Sequence, residues 1–159
     1  MSAPAVEIEI ESPLWTAEPG TETCVREAIA AAAARVPSVG EVSVLLTDDA
    51  AVRSLNRDWR GIDKATNVLS FSAAKQPPGL PPMLGDIAIA YESLAREADA
   101  QGKPALHHLA HLVVHGYLHL MDYDHQTDPE AETMEALERD ILRTLLIPDP
   151  FRTEATDPA

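Results

Sequence analysis

The chain has a single cysteine, Cys24, so it cannot form an intramolecular disulfide. That excludes the disulfide-stapled secreted scaffolds and points to a reducing cytosol. No staple is needed, because a domain of this length buries roughly 70% of the surface its unfolded chain exposes. Long hydrophobic runs are missing too. The best candidate, Leu106 to Met121, is interrupted by histidines, and nothing reaches the ~18–20 apolar residues of a membrane span. The first seven residues lack a basic segment followed by an apolar one, so no signal peptide is expected. A soluble, cytoplasmic protein without membrane association is the expectation. Positive charge is also scarce: 12 Lys+Arg against 26 Asp+Glu give a formal net charge of −14. Taken alone this argues against a nucleic-acid binder with a broad basic footprint, and no DNA partner is expected. The cations are unevenly placed, however, with Arg53, Arg57, Arg60 and Lys64 grouped in one short stretch.

Periodicity and chain breakers divide the sequence into short elements. Val6 to Glu11 alternates apolar and acidic residues, as a half-buried strand does, and Pro13 ends it. Thr21 to Arg35 reads as a helix on its alanine content. Val42 to Leu46 reads as a strand, followed by a helix capped by Thr47 or Asp48 and stopped by Gly61. Asn67–Phe71 and Ile87–Tyr91 are further strands, separated by a proline-rich loop. Helices are predicted over Glu92–Gln101, from Pro104 to about Met121, and from Asp128 to about Leu146, with Pro129 in the first turn of the last. The expected fold is α/β (α+β): one small mixed sheet of about four strands flanked by helices, with a central helix ending in a turn. One domain is expected over residues 1–148, with 149–159 as a flexible C-terminal tail.

All six histidines fall between His107 and His125. Residues four apart on a helix share a face, about 40° and about 6 Å apart, so His115 and His119 can aim at one point. On a continuous helix His125 would lie roughly 80° round and about 15 Å along. The helix must therefore turn back, and Asp122 is the expected turn, since Asp tolerates a left-handed backbone. The spacing His-x3-His-x5-His (His115, His119, His125) is that of metzincin zinc proteases. Three histidines with an open fourth position form a catalytic zinc arrangement, so one zinc ion per chain is expected. His111 is either a core residue or a support for the ligands, while His107 and His108 read as structural or solvent-facing. A zincin protease carries Glu directly after its first histidine as general base. Here that position is Gly116, so peptide hydrolysis is a poor reading, and a Glu placed there is expected to crowd the metal.

Two blocks, Leu55-Asn-Arg-Asp-Trp-Arg-Gly-Ile-Asp-Lys-Ala-Thr-Asn-Val-Leu-Ser-Phe71 and His115-Gly-Tyr-Leu-His-Leu-Met-Asp-Tyr-Asp-His125, with the shorter Leu84-Gly-Asp-Ile87, resemble the YbeY family of bacterial endoribonucleases. The similarity spans roughly Val42 to Leu146. It differs from the usual pattern at Asp122, where Gly is common, and at Ala65 and Ser72, where Pro is usual. The resemblance implies a metal-dependent endoribonuclease that prefers single-stranded RNA, with ribosomal RNA and the small ribosomal subunit as partners. The implied role is maturation of the small-subunit RNA 3′ end and ribosome quality control. It also implies zinc ligands at His115, His119 and His125 and an essential Arg60.

Zinc can polarise a phosphoryl oxygen or lower the pKa of a water. The charge that then develops calls for a guanidinium such as Arg60, which pairs with phosphate through two parallel hydrogen bonds. By position alone Arg60 reads rather as a partner of the helix C-terminal dipole, and it is the family resemblance that favours the phosphate role. Arg53, Arg57 and Lys64 are either a phosphate-tracking strip or a solvated helix face laced to Asp49 and Asp58. Asp86 either orients a ligand histidine or caps a strand, and Asp124 is the candidate general base. Two other readings remain: a metal-dependent hydrolase of a peptide or small amide, and a ribosome-associated module with structural zinc.

Overall fold

The computed structural model describes residues 4–73 and 82–151. The chain runs β1 (Ala5–Ile10), a 3-10 turn (Pro13–Ala17), α1 (Thr21–Arg35), β2 (Glu41–Thr47), α2 (Asp49–Arg60), β3 (Val68–Ser72), β4 (Met83–Ala90), α3 (Tyr91–Ala100), α4 (Ala105–Leu120) and α5 (Asp128–Thr144). The four strands form one mixed sheet in the order β1-β2-β4-β3. β1, β2 and β4 are parallel, and β3 returns antiparallel to β4. This is the mixed sheet flanked by helices that the sequence predicts.

Local chemistry sets the boundaries. Asp48 caps α2 by accepting from the Ala51 N–H at 2.9 Å, and Gly61 ends it in the left-handed region at φ 71°. Thr127 and Glu130 close a reciprocal capping box at the start of α5, which the sequence reading did not use. β4 begins four residues before the expected Ile87, because Gly85 and Asp86 pair with Ser72 and Phe71 of β3 and with Val42 and Ser43 of β2.

The two faces of the sheet carry separate apolar clusters. Val42, Val44, Leu46, Ile87 and Ile89 pack with the inner faces of α1, α4 and α5. On the opposite face α2 lays Val52 over Leu69, Ala88 and Ala90. α4 lies close on the sheet because residue 116 is glycine. A Cβ there would stand 2.8 Å from Ile87 Cγ2 and 3.0 Å from Ser70 Oγ. Ser70 donates to the Gly116 carbonyl at 3.1 Å and so ties β3 to the middle of α4.

Of the expected tail, residues 149–151 are described. Asp149 pairs with Arg139 at 3.2 Å, and the Phe151 ring meets His111 edge-on at 5.4 Å between centroids. Residues 152–159 of that expected tail lie outside the described residues.

Candidate metal centre

α4 ends in the turn that the histidine spacing demands. The Tyr123 N–H reaches the Leu118 carbonyl at 3.0 Å and the Asp122 N–H reaches the His119 carbonyl at 3.1 Å, the two bonds of a Schellman motif. Asp122 holds the left-handed position at φ 70°. The reversal brings His125 back to His115 and His119, with ring centroids 5.4 and 5.0 Å away respectively. One nitrogen from each of the three rings lies within 4.8 Å of the others. The three predicted ligands thus converge on one point.

The outer nitrogens fix which lone pairs face inward. His115 Nδ1 donates to Glu138 Oε2 at 3.2 Å, and His119 Nδ1 donates to the Tyr123 carbonyl at 3.0 Å. With both Nδ1 protons so committed, both Nε2 atoms present lone pairs, and these face each other across 3.0 Å. Two such lone pairs repel unless a cation lies between them. Burial, reinforced by the neighbouring His115 and His125, pushes the His119 pKa below its ordinary value and favours the neutral ring that a metal needs. The donor set and its orientation fit a divalent metal of the zinc type.

Glu138 is the residue the sequence reading missed. Its side chain is buried and bridges His111 Nε2, at 2.5 Å, and His115 Nδ1. Burial pushes this carboxyl up, but the two imidazole bonds and their charge outweigh that and hold it at about 2. The signal lay in the spacing of Met134, Glu138, Ile141 and Leu142, which places one glutamate on the buried stripe of α5. His111 is therefore a support for the centre through Glu138. His108 is buried and bonded to Glu97 at 2.7 Å, a structural role.

The centre opens on a cleft of about 720 Å³ whose wall carries Arg60, Asn56, Ser70, His115, His119 and Asp124. Arg60, at the end of α2, donates to the Ser70 carbonyl at 2.6 Å and lies 5.3 Å over the Phe71 ring, with no carboxylate partner among the described residues. Ser70, another residue the sequence did not single out, thereby links Arg60 to α4. Arg53 and Arg57 are paired to Asp63, at 2.7 Å, and Asp58, at 3.1 Å, which makes them a salt-bridged helix face. Asp49, an expected partner of that face, instead binds Arg96. Asp124 accepts from its neighbour's N–H, that of His125, at 2.8 Å.

Two expectations are corrected. Asp86 does not orient a ligand histidine. Strand alternation puts it on the sheet face opposite Ile87 and α4, in a hollow with Leu45, Trp59 and Phe71, where burial raises its pKa. Gly116 does not face open space beside the metal. A side chain there runs into Ile87 and Ser70, so the sheet itself excludes a zincin-type glutamate.

The profile of the family described as endoribonuclease YbeY matches residues 8–146. The chain belongs to the YbeY family. It is 56% identical over 155 residues to the endoribonuclease YbeY of Rhodopseudomonas palustris (strain BisA53), covering 93% of this chain and 90% of the relative. Against that of Bradyrhizobium sp. (strain BTAi1) it is 55% identical over 157 residues, covering 93% and 92%. The solution structure of TM1509 from Thermotoga maritima superposes with a TM-score of 0.56 over 92% of this chain and 99% of that one, at 20% identity, which shows a shared fold. YbeY membership carries an endoribonuclease role, a nuclease that hydrolyses RNA. No helix among the described residues is long and apolar enough to cross a membrane.

Proposed function

We propose that the chain is a zinc-dependent endoribonuclease of the cytoplasm that cuts single-stranded RNA. Its partners are ribosomal RNA and the small ribosomal subunit, and its task is maturation of the small-subunit RNA 3′ end and ribosome quality control. One observation carries the reading: in a member of an endoribonuclease family, three inward-facing imidazoles share a cleft with an arginine that has no carboxylate partner among the described residues. His115, His119 and His125 would hold one zinc ion. When bound, zinc supplies Lewis acidity toward a phosphoryl oxygen or a water.

The chain's own groups do the rest. Arg60 meets the phosphate through its planar fork and opposes charge that develops on the non-bridging oxygens. Its bond to the Ser70 carbonyl occupies one N–H direction and aims the remaining donors. Asp124 stands in the same cleft next to a ligand and is the candidate proton acceptor. Peptide hydrolysis is disfavoured because the sheet fills the position of the protease base. A structural zinc is disfavoured because the converging set among the described residues is three histidines, one donor short of a closed site.

The test uses wild type, His119→Ala, Arg60→Ala and Arg60→Lys, with zinc content, cleavage of labelled single-stranded RNA and thermal midpoint measured on each. His119→Ala should lose most of the zinc. Arg60→Ala should keep zinc and stability yet lose roughly 10²–10³ in rate, the scale of deleting a donor aimed at transition-state charge. Arg60→Lys should also cleave poorly. Near-normal cleavage by Arg60→Ala, or chelator-sensitive proteolysis by wild type, would overturn the assignment.

A further inference from the structure

A second cavity, of about 360 Å³, meets the cleft at the histidines. Asn67, Val68, His115 and His125 line both hollows. The cleft side carries Arg60, whereas the second cavity is walled by Glu97, Lys103, His111 and Phe151. We propose that this cavity is a specificity pocket that takes the nucleobase flanking the scissile phosphate. The proposal rests on the endoribonuclease reading and extends it from phosphate to base.

The pocket has the two elements that base recognition requires, an aromatic ring and a fixed polar group. Phe151 is the ring. It meets His111 in a T-shaped contact, the Arg139 guanidinium lies over the ring at 5.1 Å from its centroid, and the residue keeps 37% of its surface exposed. An aromatic ring that lines the cavity and keeps part of its surface exposed can stack with a base, and stacking tolerates any base. Asn67 is the polar group. Its Nδ2 donates to Glu97 Oε1 at 2.9 Å, and the same oxygen is held at 2.7 Å by the buried His108. A carboxylate only accepts, so the amide nitrogen must face Glu97. Asn67 Oδ1 is left without a partner among the described residues and, with Asn67 lining the cavity, can accept an N–H from a base edge. Lys103, half-buried in the cavity wall, adds a cation. An RNA strand that sets its scissile phosphate between Arg60 and the histidines would meet this pocket at His115 and His125, which line both hollows. The volume falls at the low end of small-ligand pockets, which suits one base and excludes a base pair. A duplex cannot enter without unpairing, in keeping with single-strand preference.

The experiment uses the zinc-loaded full chain and short single-stranded RNAs with one cleavage position. An abasic ribose replaces the nucleotide on one side of the scissile bond, then on the other. In wild type, one of the two replacements should lower kcat/KM about tenfold, the scale of one stacked base. Phe151→Ala should lose about the same factor on intact RNA and show no further loss on that abasic RNA, with zinc content unchanged. Asn67→Ala should narrow the difference among the bases at that position. If Phe151→Ala folds poorly, Phe151→Leu retains the packing and should still lose the factor for want of a ring. Equal cleavage of intact and abasic RNAs by wild type, or equal loss on both by the variants, would overturn the pocket and leave the nuclease standing. Failure of zinc-loaded wild type to cut any RNA would overturn the nuclease reading, and the pocket with it.

Discussion

Replacing Glu138 by Gln separates holding the metal from holding the fold. The carboxylate accepts from His111 Nε2 and His115 Nδ1 with different oxygens, while its side chain is only 2% exposed. Gln has nearly the same shape but one acceptor and one N–H₂ group. If its oxygen serves His111, its nitrogen faces His115 Nδ1 and forces that ring to carry its proton on Nε2. The inward lone pair of His115 is then lost. If its oxygen serves His115, the His111 donor is orphaned in a ring whose buried Nδ1 already lacks a partner. Charge-assisted bonds of this kind contribute about 1.5–3 kcal/mol each, and losing a support of a ligand histidine lowers metal affinity roughly 10–100-fold. Glu138→Gln should therefore bind zinc 10–100-fold more weakly in competition with a chromogenic chelator, and it should unfold at a lower temperature even without metal. Glu138→Ala should be worse in both, because it also leaves a cavity. Zinc affinity and melting temperature both equal to wild type in Glu138→Gln would refute the reasoning.

Gly116→Ala should lower the urea midpoint of the metal-free protein. Overpacking against Ile87 costs about 1–3 kcal/mol, more than the ~1 kcal/mol that alanine returns in helix propensity. Gly116→Glu should fail by lifting α4 off the sheet, visible as lost stability with or without zinc, rather than by crowding the metal. Metal-free stability should also fall on acidification. Burial lowers the pKa of His108 and of His119, so their contribution is fully present above the unfolded value near 6.5 and is lost as pH falls below it. Glu138, held at about 2, adds a contribution present above its unfolded value of 4.5 and lost as pH falls from there toward 2. Urea midpoints between about pH 7.5 and pH 5 in chelator check the histidine part, and a flat profile would contradict it.

The histidine triad was legible because three constraints coincide in one short segment: four-residue helical spacing, a residue able to turn the chain, and a third histidine just beyond it. The strands and helices were legible from alternation and from Gly and Pro breaks. What escaped was whatever depends on which face of the sheet meets which helix. Asp86 and Ile87 are neighbours in sequence, yet the pleat sends one to α2 and the other to α4. Glu138 lies 23 residues from His115, and only the packing of α5 on α4 brings them together. Ser70 joins Arg60 to Gly116 because β3 runs antiparallel at the edge of the sheet, a topology no local pattern states.

The acidic composition, the strongest argument in the sequence against an RNA substrate, weakens once the charges have positions. Glu7, Glu9 and Glu11 line the hollow that holds Asp86, on the sheet face turned away from α4 and its histidines. Arg53 and Arg57 are paired to Asp63 and Asp58, so of the cationic stretch of α2 only its last residue, Arg60, has no carboxylate partner among the described residues. Exposed charges farther apart than about 8 Å are largely screened at physiological salt. A phosphate in the cleft therefore responds to Arg60 and to whatever cation the imidazoles hold more than to the total of −14. Removing Arg60 changes that local sum without touching the metal site, which is why its variants discriminate between a nuclease and a protein that merely binds zinc.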